Sequence, residues 1–254
     1  MLHTPVFQRV SRDQAGQAEG IVIVIDVIRA FTVAAHAFAG GAKDLWLVRT
    51  VEDALALREL APDALLAGEI GGRLIPGFDL NNSPYMMARA NVRGRRIIQR
   101  TGAGTQGAVG ARHASHLLVT SLATARATAR YVARLSASTG LPITFVPTES
   151  SANGVLRNED RYCADYIEAL IVQPASAGQV LSNRLARLEA EGRFHHWGAE
   201  HDKDFPPGDL DLVMGADRCD FIMRGTAAQV NGVSYVEVQA VHPDTLQPFQ
   251  AEFR

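Results

Sequence analysis

With 254 residues, 47% of them hydrophobic and 20% charged, and a formal net charge of -2, the chain has the make-up of a folded globular protein long enough to bury a core. That balance excludes a disordered tail and the basic surface of a nucleic-acid binder. The longest apolar run, residues 21–28, is broken by Asp26 and falls far short of the roughly 20 residues of a membrane span. The first residues lack the apolar core of a signal peptide, so a cytoplasmic location with no membrane or nucleic-acid partner is expected.

Residues 21–25 form a β-branched run that predicts a strand closed by Asp26, and residues 29–38 predict a helix stopped by Gly40 and Gly41. Residues 44–48 read as a second strand, and Thr50 with Asp53 opens a helix over VEDALALREL. Residues 64–67 are a third strand, followed by Gly68 and Glu69. After a glycine- and proline-rich excursion at 71–77, Ser83 as N-cap and Pro84 at the first helical position start a helix expected to run to about Asn91. A strand and glycine loop follow, then a helix near 106–112, a strand at 116–120, a helix at 124–135 and a strand at 143–146 that ends at Thr148 and Glu149. Asn158 caps a helix over EDRYCADYIEALIV, a second helix passes through 181–188, and a short helix starts at Asp209. The Asn231-Gly232 pair marks a turn before a strand at 232–238. The alternation of strands and helices predicts an α/β fold, a three-layer α/β/α arrangement around a largely parallel or mixed sheet. It reads as one domain over 1–254, with a smaller C-terminal lobe from about 175 as the variant. Cys163 and Cys219 have no disulfide or zinc spacing and are expected as reduced, partly buried thiols.

Charge is unevenly placed. No acidic residue occurs between Asp79 and Glu149, while nine arginines do. Arg126, Arg130 and Arg134, four apart, make a solvated helix face. Arg100 differs, because it stands where a strand meets the glycine loop, a position that favours an anionic ligand.

That loop lies in RRIIQRTGAGTQGAVG, residues 95–110, which reads as strand, glycine loop and helix. Such a turn presents unpaired N–H groups at the positive end of a helix dipole and suits an anion. Gly102, Gly104 and Gly107 spell the dinucleotide fingerprint. The acidic residue that fingerprint needs about 20 positions on is missing, which argues against NAD and leaves an NADP-dependent oxidoreductase as an alternative. No Lys-Ser or Lys-Thr follows the loop, so it is not a P-loop.

Asp26, Glu69, Asp79 and Glu149 fall at strand ends or in adjoining loops, with Glu159 and Asp160 at a helix start. In a parallel sheet such ends converge on one edge. Carboxylates beside an anion cradle repel the ligand unless a hard cation lies between, and magnesium suits that place. Glu159 and Asp160 can also serve simply as partners of the helix dipole. A haloacid-type D-x-D is absent, since Ile28 takes its second position, and no cysteine-phosphatase spacing exists. His195, His196 and His201 lie in a polar stretch and read as exposed.

Five motifs in order, IVIDVIRAFT (23–32), GEIGG (68–72), GFDLNNSP (77–84), TGAGTQGA (101–108) and NEDRYCADYI (158–167), make the chain resemble the 2-phosphosulfolactate phosphatase (ComB-like) family. The resemblance implies an α/β enzyme that hydrolyses a phosphomonoester with magnesium. It places Asp26 and Arg29 in the first motif, Glu69 in the second, Asp79, Asn82 and Ser83 in the third, Thr101, Gly102, Gly104 and Thr105 in the fourth, and Glu159 and Asp160 in the fifth. The loop departs from the family's usual T-T-N-G-T, which points to a change in the organic part of the substrate. The combined expectation is that Asp26, Glu69 and Asp79 bind metal, Glu159 or Asp160 is a ligand or general base, and a covalent aspartyl-phosphate on Asp26 is the variant mechanism. Arg29, Arg100, Asn82, Ser83 and the loop N–H groups would hold a small anionic phosphorylated substrate. A non-catalytic phosphometabolite binder is the second alternative, and a homo-oligomer is compatible with all three.

Overall fold

The computed structural model describes residues 5–148, 158–192 and 202–244. Its ten strands are β1 (Phe7–Arg9), β2 (Ile21–Ile25), β3 (Asp44–Val48), β4 (Leu65–Ile70), β5 (Arg73–Leu74), β6 (Arg96–Arg100), β7 (His116–Thr120), β8 (Ile143–Pro147), β9 (Ile222–Val230) and β10 (Val233–Val241). The helices are α1 (Ala30–Ala39), α2 (Val51–Leu60), α3 (Pro84–Met87), α4 (Gly104–Gly110), α5 (Ala125–Thr139), α6 (Glu159–Val172), α7 (Ala177–Ala190) and α8 (Gly208–Val213), with a 3₁₀ turn at Arg12–Gln17. Among the described residues, no helix is long and apolar enough to cross a membrane.

All strands join one mixed sheet in the order β1-β8-β2-β7-β9-β10-β3-β6-β4-β5. β1, β8, β2 and β7 are mutually parallel, and so are β3, β6 and β4. The β9–β10 hairpin is antiparallel to both neighbours, β7 and β3, so the two parallel blocks run in opposite directions. This corrects the expectation of strand ends sharing one edge of a parallel sheet. The end of β2 and the loop after β6 nonetheless meet, with Gly104 N–H on Asp26 and Gln99 on the Ala30 carbonyl. β9 and β10 come from the stretch that could have been a separate lobe, and they occupy the middle of this sheet.

Side-chain alternation assigns the layers. Val22 and Val24 of β2, Leu45 and Leu47 of β3 and Ile97 of β6 face a core that encloses α1 and α4. Ile21, Ile23 and Ile25 point the other way, against α5, α6 and α7. Trp46, Val48 and Ile98 do the same under α2. All five residues of β2, β3 and β8 are buried, as expected for strands covered on both faces. Both cysteines are free and buried. Arg126, Arg130 and Arg134 lie on the outside of α5, paired with Asp217, Asp220 and Asp244.

Candidate active site

α1 follows β2 and α4 follows β6, and their first turns lie against each other, Gly104 beside Asp26 and Ala30. Gln99 of β6 donates to the carbonyl of Ala30 at the start of α1 (3.0 Å), joining the two blocks directly. Asp26, closing β2, is 4% exposed and accepts from the Ala30 N–H (3.0 Å). Burial, and then the like charges of Glu69 and Glu159, push its carboxyl up to about 6 against the opposing pull of the Ala30 and Gly104 N–H groups. Glu69 accepts from the N–H of Gly72 (2.6 Å) and of Gly102 (2.5 Å), so it bridges the β4–β5 turn and the glycine loop.

The loop itself is built differently from an open anion cradle. Gly102 N–H is held by Glu69, and Gly104 N–H reaches Asp26. Thr105 N–H donates to the Thr101 hydroxyl (3.1 Å) and Thr101 N–H to the Thr105 hydroxyl (2.8 Å), a reciprocal internal cap of α4. Thr101 and Thr105 are fully buried in this role. The fingerprint glycines serve close packing. A Cβ on Gly104 would lie 2.6 Å from Asp26 Oδ2 and 2.7 Å from the Ala30 Cβ, and one on Gly107 2.8 Å from Thr148 Cγ2. A dinucleotide pyrophosphate approaching this loop would meet two carboxylates.

Asp160 ties α6 to two strand ends. Its Oδ1 accepts from Val27 N–H (2.8 Å), and its Oδ2 from the N–H (3.1 Å) and hydroxyl (3.3 Å) of Thr148. Glu159, one residue earlier and 4% exposed, lies close enough to Asp26 to raise it. Asp26, Glu69, Glu159 and Asp160 are therefore gathered around the start of α4.

Asp79 is not. The chain doubles back along β4, with Leu80 bridging Ala67, so the Asp79 carboxylate lands on the Leu66 N–H (2.8 Å) and Arg58 (2.8 Å). Leu66 precedes Glu69 by three strand residues, about 10 Å. Asp79 thus stands apart from the other carboxylates, and among the described residues no three His, Cys, Asp or Glu side chains are grouped to hold a metal ion. Glu149 and the three histidines 195, 196 and 201 lie outside the described residues.

Arg29 and Ser83 are both held by a residue to which the sequence reading gave no role in the site. Asp209, fully buried at the start of α8, accepts from Arg29 Nη1 (2.9 Å), the Ser83 hydroxyl (2.5 Å) and the Tyr85 N–H (3.0 Å). Arg29 also donates to the carbonyls of Asp204 (2.5 Å) and Gly72 (3.3 Å) and lies over the Phe205 ring. The signal was Arg29 itself, since a buried cation requires an anion. Arg100 donates to the carbonyls of Glu69 (2.8 Å) and Arg49 (3.3 Å), holding the backbone of the site. Asn82 is 5% exposed, and its Oδ1 has no hydrogen-bond partner among the described residues.

The donor set suits a hard cation. Burial and the like charges of Glu69 and Glu159 disfavour the ionised form of Asp26, and carboxylate oxygens are the donors a hard cation takes. Magnesium retains waters and takes only one or two carboxylates, so it does not require a three-residue cage.

Residues 7–191 match the profile of the 2-phosphosulpholactate phosphatase family. A Bacillus subtilis protein named probable 2-phosphosulfolactate phosphatase is 46% identical over 151 residues, 59% of this chain and 64% of its own. Proteins with the same name from Deinococcus radiodurans (48% over 112 residues, 44% of this chain and 47% of the relative) and Thermus thermophilus (44% over 117 residues, 46% and 48%) are also similar. The aligned stretches cover less than two thirds of each of these relatives. Because the profile runs from β1 to the end of α7 and takes in every carboxylate gathered here, the chain belongs to the 2-phosphosulpholactate phosphatase family.

Proposed function

We propose that this protein is a magnesium-dependent phosphatase hydrolysing a small acidic phosphomonoester of the 2-phosphosulfolactate type. The observation that carries the reading is the crowding of Glu69 and Glu159 on buried Asp26, whose carboxyl is raised to about 6. Asp26 and Glu69 are the proposed magnesium ligands, directly or through water. The bound ion would neutralise charge on the phosphoryl oxygens, the main requirement of a phosphoryl-transfer transition state.

The protein's own part is positioning and proton transfer. Glu69, fixed by two backbone N–H groups, aligns the glycine loop with the β4–β5 turn. Glu159 is the proposed general base for the attacking water, and Asp160 is a positioning residue that fixes Glu159 by anchoring α6 to Val27 and Thr148. Arg100 steadies Glu69 through its carbonyl. The Arg29–Asp209 pair fastens residues 202–213 over the β4–β5 turn and the start of α3.

Release of inorganic phosphate from a panel of phospho-acids, with and without magnesium, tests the proposal. Metal-dependent turnover of an acidic phosphomonoester is expected. Tight binding of these esters with no turnover would instead favour the non-catalytic binder.

A further inference from the structure

The glycine loop has a second neighbour, of opposite charge to the carboxylate cluster. A cleft of about 560 Å³ opens beside Gly102, walled by Arg12, Asp13, Arg49, Arg112 and His113. It runs along the face of α4 that carries Gln106 and Gly110. Three arginines meet one carboxylate there. Arg12 pairs with Asp13 at 3.6 Å and donates to the Gly102 carbonyl (3.3 Å). Arg112 donates to the Val109 carbonyl (3.0 Å), a neutral partner. Among the described residues, no carboxylate pairs with Arg49 or Arg112. Arg49 reaches over the last turn of α4, its Nη2 3.5 Å from where a Cβ on Gly110 would lie.

Gly102 connects the two environments. Its N–H is held by Glu69 and its carbonyl by Arg12. Carboxylates thus stand on one side of a single peptide and cations on the other. A molecule with two acidic groups a few bonds apart can place its phosphate by the carboxylates, where a cation is shared, and its other acid among the arginines. Arg29 cannot take that second acid, since Asp209 already neutralises it in a buried pair.

We infer that the Arg12–Arg49–Arg112 cleft takes the second acidic group, a sulfonate or carboxylate, of a doubly anionic substrate. The inference rests on the phosphatase reading of the adjoining carboxylates. A guanidinium fork matches the spaced oxygens of either group and gives charge-assisted hydrogen bonds. Specificity for diacids then comes from α4's outer face, while the carboxylate cluster carries the reaction.

The test compares wild type, Arg49→Ala, Arg112→Ala and the double variant, each with magnesium. The substrates are 2-phosphosulfolactate, which carries a carboxylate and a sulfonate beside its phosphate (the diacid), and an ester of equal size in which a hydroxymethyl replaces the sulfonate, leaving only the carboxylate (the monoacid). KM for the diacid should rise about 10- to 100-fold per arginine with kcat within about twofold. KM for the monoacid should stay within about twofold. Equal rises for both substrates, or no rise for the diacid, overturn the inference. Calorimetric titration with 3-sulfolactate, which carries no phosphate, reads the cleft independently of turnover. Weaker binding in the double variant is expected, and unchanged binding refutes the assignment. Sulfate binding as tightly as sulfolactate would mean a plain inorganic-anion site and would equally overturn it. If wild type turns over neither ester while sulfolactate binding still depends on the arginines, the phosphatase reading fails and the cleft stands.

Discussion

Asp209→Ala removes a carboxylate with no exposed surface and three donors upon it: Arg29 Nη1 at 2.9 Å, the Ser83 hydroxyl at 2.5 Å and the Tyr85 N–H at 3.0 Å. Arg29 is itself 3% exposed. After the substitution it keeps the carbonyls of Asp204 and Gly72, the face of Phe205 and the attraction of Glu69 and Asp204, but loses the carboxylate it bonds directly. Deleting one partner of a buried pair costs about 3–5 kcal/mol, because the other charge stays desolvated. Two further donors lose their acceptor at the start of α3, while water entry as residues 202–213 loosen offsets part of the loss, so we expect about 4 kcal/mol. Urea unfolding, with midpoint and slope fitted separately, measures it. The companion variant Arg29→Met separates charge from packing. The double variant should be more stable than the sum of the single losses predicts, by about 1.5 kcal/mol or more. A loss below about 1 kcal/mol for Asp209→Ala, or strict additivity, would refute the buried-pair argument.

Asp26 gives a pH prediction for the metal-free protein. Its carboxyl is raised from 3.8 to about 6, so the folded state holds the proton more tightly than the unfolded chain. The associated stability is full below about pH 4 and lost as pH rises through 6, a difference of about 3 kcal/mol. In chelator, Asp26→Asn should therefore be more stable than wild type at about pH 8 and close to it at about pH 4, judged by urea midpoints; the reverse order contradicts the crowding argument. Gly104→Ala drives a Cβ to 2.6 Å from Asp26 Oδ2 and should cost about 1–3 kcal/mol and most of the turnover. Thermal melting at the wild-type midpoint would show that the α4 contact is looser than described. Asp79→Asn weakens the Arg58 contact far from the cluster, so phosphate release should stay within about twofold. A loss of tenfold or more would return Asp79 to the metal site.

Much of the fold was legible because the local signals were strong. The β-branched run of β2, the Thr50 cap, and the Ser83 N-cap with Pro84 each produced the element they predict. The α3 helix stops at Met87 instead of reaching Asn91, since residues beyond it turn back toward β6. The way the two sheet blocks are joined was not legible. It depends on β9 and β10 inserting antiparallel between β7 and β3, a pairing with long sequence separation and no local marker. Asp26, Glu69, Glu159 and Asp160 were singled out by their place at strand ends and at a helix start, and the fold brings Glu69 and Glu159 close to Asp26. Asp79 misled because a strand-end position says nothing about a chain that folds back along the same strand. The glycine pattern misled for a related reason: Gly104 and Gly107 answer the demand of α4 lying tight on Asp26, Ala30 and Val24, a demand that imitates a phosphate loop. Asp209 went unseen because its partner Arg29 lies 180 residues away.

The measurement closest to the central claim is phosphate release from 2-phosphosulfolactate across a magnesium titration, run on wild type and Asp26→Asn side by side. The account predicts saturable, magnesium-dependent turnover in wild type and a loss of about a thousandfold or more in Asp26→Asn despite its intact fold. Turnover independent of magnesium, or an Asp26→Asn variant within about twofold of wild type, would contradict it.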